Sequence, residues 1–596
     1  MGDKNKSRSK GRKRKGRVAK RQSQKDDGPN PKRLATEDRQ ETADTASARK
    51  LSVIEQENQD TDDRSSVEGF ILMDISILFG FVGQFMGCPE CSSSTVVCHL
   101  DLGSKSGFAH NIVLSCESCP WTATMETSKK IPDSKCGQNA REVNTRMVTF
   151  ARSLGRGHSA LQNFSLFMNS PAPMSRKNYR KNFQKVHVAS KEVARQSMAK
   201  AASELRESQA FVSSVEINGG CAVSLDGTWQ KRGYASHHGI VTCISVQTGK
   251  CLDAEVLSNI CQGCAVWEKK NKDSTEYAQW KIKHVCKINH QGSAAAMEPV
   301  GAVRIFSRSE QVHNIKYTQY LGDGDSASFK KVLESKPYDT TIEKLECVGH
   351  VQKRVGSRLR RMKTTNKGLK LSDGKGLRGR LTDKTIDTLQ NYFGMAIRQN
   401  SGNLADMRAS VKAVLPHVAS SSAKPMHKNC PDGVDSWCGF KRNPDSYKHR
   451  KGIPQPIVDF IQPVFDDLSS EVLLKKCLHG KTQNVNECLN KLIWDRCSKE
   501  YFVERSVIEE ATYSAISHFN DGRLSILHLL HALGITTAGR FSEEHCMRQN
   551  TIRLGSSARK SSEKAKKQRK HLRARRKGFQ DKLEQSEGNL YGAGAH

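Results

Sequence analysis

Long apolar runs are scarce in this 596-residue chain. The best stretch, Phe70 to Met86, is interrupted by Asp74 and Gln84 and falls short of the roughly 20 apolar residues that a spanning helix needs. No membrane-spanning segment is therefore expected. The highly charged beginning has no apolar core of the kind a secretory signal carries. Aromatic residues make up only 6%, and no aromatic-rich strand motif for stacking RNA bases stands out, which favours DNA over RNA as a partner. Acids are also short: 62 Asp and Glu face 96 Lys and Arg, for a net charge of +34. So large a deficit points to a polyanionic partner, most commonly nucleic acid, although a soluble basic protein with sticky tails has the same balance. Apolar residues reach 36%, enough for a folded core but not for the whole chain to be folded. No internal repeat is visible.

The length suggests two or three domains plus tails. Residues 1–66 read as a disordered basic arm. Met1–Gln22 holds eleven Lys or Arg against Asp3 alone. Its run Lys10-Gly-Arg-Lys-Arg-Lys15 suits a nuclear localisation signal, hence a nuclear protein, or an arm that touches nucleic acid loosely; the two are compatible. Residues 67–135 form a small cysteine-bearing module, and 136–217 a helical, candidate DNA-binding segment. From 218 to 360 the pattern is α/β. Strands are expected at Cys221–Asp226, Gly239–Gln247, Lys250–Leu257 and Lys316–Leu321, with helices at Pro299–Arg308 and Ser326–Leu333. Residues 361–480 read as a mostly helical insertion and 481–545 as helices. The tail, 546–596, is basic. Its segment Arg559–Lys577 has eleven Lys or Arg against Glu563 and is either a charged helix or a disordered arm suited to phosphate contact.

With no secretory signal expected, the 19 cysteines read as metal ligands rather than disulfides. Cys88-Pro-Glu-Cys91 and Cys116-Glu-Ser-Cys119 are two knuckles whose four thiolates suit a structural Zn2+ in a zinc-ribbon-like module. A second set, Cys261, Cys264, Cys286 and His290, with His284 as a competing ligand, would pin an inserted loop over 258–292. Weaker sets are Cys347 with His350, and His427 with Cys430 and Cys438. Neither makes a clean four-ligand site.

Metal-assisted cleavage of a phosphodiester needs carboxylates that converge from distant parts of the chain. Asp226 ends an apolar strand beside Gly227. Asp323 and Asp325 follow the strand Tyr317–Leu321 in a glycine-rich turn, where Asp323 suits a metal and Asp325 the cap of the next helix. An ordinary turn residue is the alternative for each, and for Asp226 spacing alone slightly favours it. Glu487 falls in the first turn of a helix, but its periodicity puts it nearly opposite the apolar face of Val485, Leu489, Leu492 and Ile493, which favours a solvated side chain.

Taken together, the ordered motifs resemble those of the Mutator-like transposases. They are Ser224-Leu-Asp-Gly-Thr-Trp229, Cys261-Gln-Gly-Cys264, Asn289-His-Gln-Gly-Ser293 with Met297-Glu298, Gly322-Asp-Gly-Asp-Ser326, Cys347-Val-Gly-His350-Val-Gln-Lys-Arg354, Cys430–Cys438 and Thr482–Glu487. The resemblance covers about residues 67–540. It implies an RNase H-like catalytic core interrupted by the helical insertion, with Asp226, Asp323 and Glu487 as a DDE triad around Mg2+ or Mn2+. Cys347 and His350 resemble the pair that follows the second acid. Cut-and-paste transposition is the implied activity, with double-stranded DNA ends and target as partners and a homo-oligomer that pairs two ends. A domesticated or inactive descendant that binds DNA through its zinc modules is the alternative.

Overall fold

In a computed structural model of the chain, the described residues are 45–51, 70–132, 140–231, 236–270, 272–324, 327–433, 436–449, 452–535 and 539–587. They fall into two compact units. One spans Ala46–Ser557; of the other, the described residues are Thr45 and 558–587.

The larger unit begins earlier than the composition suggests. Most of the expected disordered arm, 1–66, lies outside the described residues, but Ala46–Leu51 is a helix with Lys50 and Leu51 buried. Lys50 Nζ sits 3.0 Å from the centre of the Phe519 ring, a cation–π contact that ties this helix to the core. The apolar Phe70–Met86 stretch contains the helix Ile75–Phe85, capped by Asp74. Among the described residues no helix is long and apolar enough to cross a membrane.

Next comes an antiparallel three-stranded sheet of β1 (Val96–Ser106), β2 (Ala109–Cys116) and β3 (Thr122–Glu126). The turn between β1 and β2 needs Gly107, at φ +70°, because a Cβ there would lie 2.6 Å from Asn144 Oδ1. Asn144 in turn accepts from the Phe108 N–H (2.9 Å) and donates to the Ser106 carbonyl (2.6 Å), docking the turn on the helix Glu142–Ser153.

The expected helical segment is present. Its longest element, Arg176–Glu207, is capped by Ser175, whose side chain accepts from the Asn178 N–H. Buried Val186, Ala189, Val193, Ala194, Ala201 and Leu205 recur at helical spacing. Val186 packs with Val148 and Leu161, Ala201 and Leu205 pack with Val223 and Phe306 of the central core, and the helix as a whole packs on the helix Arg505–Asp521.

The central sheet contains β4 (Cys221–Trp229), β5 (His238–Ser245), β6 (Cys251–Ser258), β7 (Tyr317–Gly322) and β8 (Glu343–Glu346), in the order β6-β5-β4-β7-β8. The first three form an antiparallel meander, and β7 and β8 run parallel to β4. β8 carries only four residues and was not foreseen. Alternation along the strands splits the core. Val223, Leu225, Val241 and Cys243 pack with the helix Met297–His313, whereas Ile240, Ile244 and Val256 pack with the helices Asn484–Arg496 and Arg505–Asp521.

The insertion has its own apolar core, built by the helices Val348–Thr365, Asp383–Gln399 and Gln455–Leu468. The first of these runs straight out of β8, so the insertion is rooted before residue 361. In the smaller unit, the basic segment is the helix Glu563–Glu587.

Candidate active site and metal clusters

Asp226 sits inside β4, which runs three residues beyond the end expected from sequence because Gly227, Thr228 and Trp229 also pair with β5; it lies opposite Thr242. Ser224, Asp226 and Thr228 lie on one face of the strand, as the two-residue period requires. That face meets the helix Asn484–Arg496 in three hydrogen-bonded steps. Ser224 Oγ donates to Asn486 Oδ1 (2.7 Å), Asn490 Nδ2 donates to Asp226 Oδ2 (2.7 Å), and Trp494 Nε1 donates to Thr228 Oγ1 (2.8 Å). Asn486 is fully buried and also donates to the Ser224 carbonyl. At the start of the helix, Gln483 Nε2 donates to the Leu225 carbonyl (2.6 Å).

The helix therefore divides its sheet-facing side. Leu489 and Ile493 pack with Ile240 and Ile244, and the polar trio seats on β4. Glu487 follows directly on Asn486. It is exposed, as its periodicity suggests, but its charge reaches Asp226. Apolar periodicity alone misses this, because the polar residues dock too.

Asp323 follows β7, which lies beside β4. Burial pushes the Asp226 carboxyl up to about 6; the Asn490 hydrogen bond opposes this, while the charges of Asp323 and Glu487 add to it. Burial also drives the Tyr320 hydroxyl well up, helped by Glu298, Asp323 and Asp226. Glu298 is a further acid close to β4, given no role by sequence reasoning, but on the face opposite Asp226, because residues 226 and 227 point to opposite sides of the strand. Its Oε2 lies 2.5 Å from where a Cβ on residue 227 would stand, so Gly227 is what lets Glu298 come this close to β4. Asp325 lies outside the described residues.

Cys347 and His350 are brought together at the start of the helix Val348–Thr365. Burial opposes ionisation of Cys347, but hydrogen bonds from His350 and from the Gln483 N–H (3.3 Å) outweigh it and hold the thiol below its ordinary value. The same contact with Cys347 raises His350. Arg354, one turn on, pairs with Glu346 at 2.5 Å and covers Gly324, where a Cβ would strike its guanidinium.

Among the described residues, three groups of Cys and His could hold a metal ion. Cys88, Cys91, Cys116 and Cys119 converge as their spacing predicts, with Sγ–Sγ distances of 3.5 Å (Cys88–Cys119) and 3.6 Å (Cys91–Cys116). In the second group the structure corrects the expected ligand: His284, not His290, joins Cys261, Cys264 and Cys286. His284 Nε2 lies 3.4 Å from Cys261 Sγ and 3.2 Å from Cys264 Sγ. It follows the helix Thr275–Lys283, which stacks Trp280 on His284 (4.4 Å between ring centres). His290 is buried elsewhere, with Nε2 3.1 Å from the Ser293 carbonyl. In the third group His427, Cys430 and Cys438 converge with His417, which the sequence pattern did not include because it lies in a preceding helix.

Comparison with curated proteins and with solved structures gives no match. The family model described as Mutator-like transposase matches residues 69–438. That span covers Asp226, Asp323 and all three cysteine groups, and ends before Glu487. It is more than half of the chain, and the chain therefore belongs to the Mutator-like transposase family.

Proposed function

We propose that the chain cuts and joins DNA at transposon ends as a DDE-type transposase, with Asp226, Asp323 and Glu487 as its catalytic acids. The observation that carries this reading is that Asp226 lies on β4, Asp323 directly after the neighbouring parallel β7, and the helix bearing Glu487 is hydrogen-bonded to β4 through Asn486, Asn490 and Trp494. The sheet order β6-β5-β4-β7-β8, an antiparallel meander followed by two parallel strands, supports an RNase H-like core.

Three like charges drawn together fit a hard divalent cation, which relieves their repulsion and takes carboxylate oxygens as ligands. Asp226, Asp323 and Glu487 would hold Mg2+ or Mn2+, which supplies activation of the attacking oxygen and stabilisation of the leaving one. The chain's own contribution is orientation. Asn490 fixes Asp226, while Gln483 and Asn486 seat the first turn that carries Glu487. In the first step water attacks phosphorus at the element end and the 3′-oxygen leaves as a hydroxyl. In the second, that 3′-hydroxyl attacks a target phosphodiester and displaces the target's own 3′-oxygen, so no external energy source is needed.

The three-stranded zinc module, the helices of 142–218 and the basic helix Glu563–Glu587 are suited to binding DNA. Pairing two ends calls for a homo-oligomer, and the basic run at Lys10–Lys15 for nuclear localisation. The test is cleavage of duplex DNA bearing the flanking element ends, with Mg2+ or Mn2+, by the wild type, Asp226→Asn and Glu487→Gln. Cleavage lost in both variants, with DNA binding kept, supports the triad. Cleavage that survives both substitutions refutes it, and tight binding without wild-type cleavage indicates a disabled descendant.

A further inference from the structure

We infer that the helical insertion contains its own structural zinc ion, held by His417, His427, Cys430 and Cys438. The site would stand whether or not the acids at β4 cleave DNA.

All four residues are buried. His417 Nδ1 lies 3.1 Å from His427 Nδ1 and 3.6 Å from Cys430 Sγ. His427 Nδ1 lies 3.5 Å from Cys438 Sγ and 3.9 Å from Cys430 Sγ. With Zn–N near ~2.05 Å and Zn–S near ~2.3 Å, a tetrahedron has N–N edges of about 3.3 Å and N–S edges of about 3.5 Å. The observed edges match those of an ion-centred tetrahedron. All four ligand atoms converge to within 4.8 Å of one another, as ligands around a single ion do. Two imidazoles and two thiolates in this geometry select zinc over hard cations.

An outer layer holds His427 in the required orientation. Its far nitrogen, Nε2, lies 2.9 Å from Ser420 Oγ and 3.0 Å from His449 Nε2. Fixing the second nitrogen in this way aims Nδ1 at the ion. His417 is set by edge contacts with Tyr392 and Trp437.

The ion has a structural task here. The described residues between Ser420 and Trp437 form no helix or strand, yet Cys430, Trp437 and Cys438 belong to the apolar core that includes Val348, Val351 and Val355. Zinc would fasten this irregular segment to the helix Val414–Ala419, which carries His417.

The test is zinc content of the full chain by mass spectrometry. Three ions per chain are expected for the wild type, and two for His417→Ala and for Cys438→Ser. Cys477→Ser, in the same apolar core but outside the group, should keep three. His417→Cys should also keep three, and with cobalt in place of zinc it should strengthen the sulfur-to-metal absorption. His449→Ala should keep the ion but bind it roughly 10–100-fold more weakly. Wild-type zinc content in both His417→Ala and Cys438→Ser would overturn the proposal. If His417→Ala does not fold, His417→Cys decides: three ions support the site and two refute it.

Discussion

Asn490 donates a 2.7 Å hydrogen bond to Asp226, and this bond is the middle rung of a ladder between β4 and the helix Asn484–Arg496. Its rungs join residues 224, 226 and 228 of the strand to 486, 490 and 494 of the helix. Two strand residues advance about 6.6 Å and four helical residues about 6 Å, so the two periods stay in step for three contacts. Asn490→Ala removes a hydrogen bond to an acid, typically about 1.5–3 kcal/mol. If that is lost from the reactive arrangement, cleavage should fall roughly 10–100-fold. Single-turnover rates, with the fold checked by circular dichroism, measure this. An unchanged rate would show that Asp226 does not depend on Asn490.

Asp226 makes the apo protein pH-sensitive. Its carboxyl titrates near 3.8 ordinarily and near 6 when folded, so the folded state holds the extra proton between these values. Its contribution to stability is fully present below the lower value and is lost as the pH rises through the higher one. In metal-free protein above pH 7, Asp226→Asn should therefore be more stable than the wild type, by on the order of 1–3 kcal/mol. The difference should vanish below about pH 4. Denaturant unfolding at both pH values checks the sign. Protons compete with a bound cation, so wild-type cleavage should also rise with pH through about 6.

Gly227 tests the approach of Glu298. A methyl group there would stand 2.5 Å from the Glu298 carboxylate, closer than any real contact. Gly227→Ala should displace the first turn of the helix Met297–His313 and lower cleavage, with binding of end DNA kept. Gly227→Ala combined with Glu298→Ala should restore folding stability to near that of Glu298→Ala alone. A double variant that stays as unstable as Gly227→Ala would mean that the strain arises elsewhere.

The buried pair of Arg152 and Glu510, 2.8 Å apart, joins the helix Glu142–Ser153 to the helix Arg505–Asp521. Arg152→Ala leaves a carboxylate in the core without its partner and should destabilise the chain by about 3–5 kcal/mol. Adding Glu510→Leu to Arg152→Met should recover most of that loss. Thermal melts of the two variants compare the outcomes.

The ribbon cysteines predict a local effect. Cys116→Ser should release one zinc ion and melt β1–β3, whose small sheet has little apolar mass of its own. The central sheet should stay folded. Hydrogen exchange resolves the two regions, and equal exposure in both would contradict this division.

Much of this was legible from sequence because the signals are local. The strand runs after Cys221, the glycine turn after Leu321 and the helical stretch up to Leu205 all fall where their residues suggest. The short β8 was missed because Glu343–Glu346 has too little apolar pattern to announce a strand. The arm boundary was misplaced because a polar segment can still bury Lys50 when an aromatic ring receives it.

Sequence alone determined the paired C-x2-C knuckles, since two cysteines three positions apart meet one ion whatever surrounds them. It also placed Asp323 directly after β7, whereas β4 continues past Asp226 to Trp229, because Thr228 and Trp229 go on pairing with β5. Tertiary structure decided which histidine completes the second and third groups. His284 and His417 reach their cysteines through the direction of the helices that precede or carry them, whereas His290, the candidate that sequence spacing favours, is buried against the Ser293 carbonyl. It also decided the setting of Glu487. A helix face is polar or apolar by its sequence, but only packing shows that Asn486, Asn490 and Trp494 dock on β4 and carry Glu487 with them.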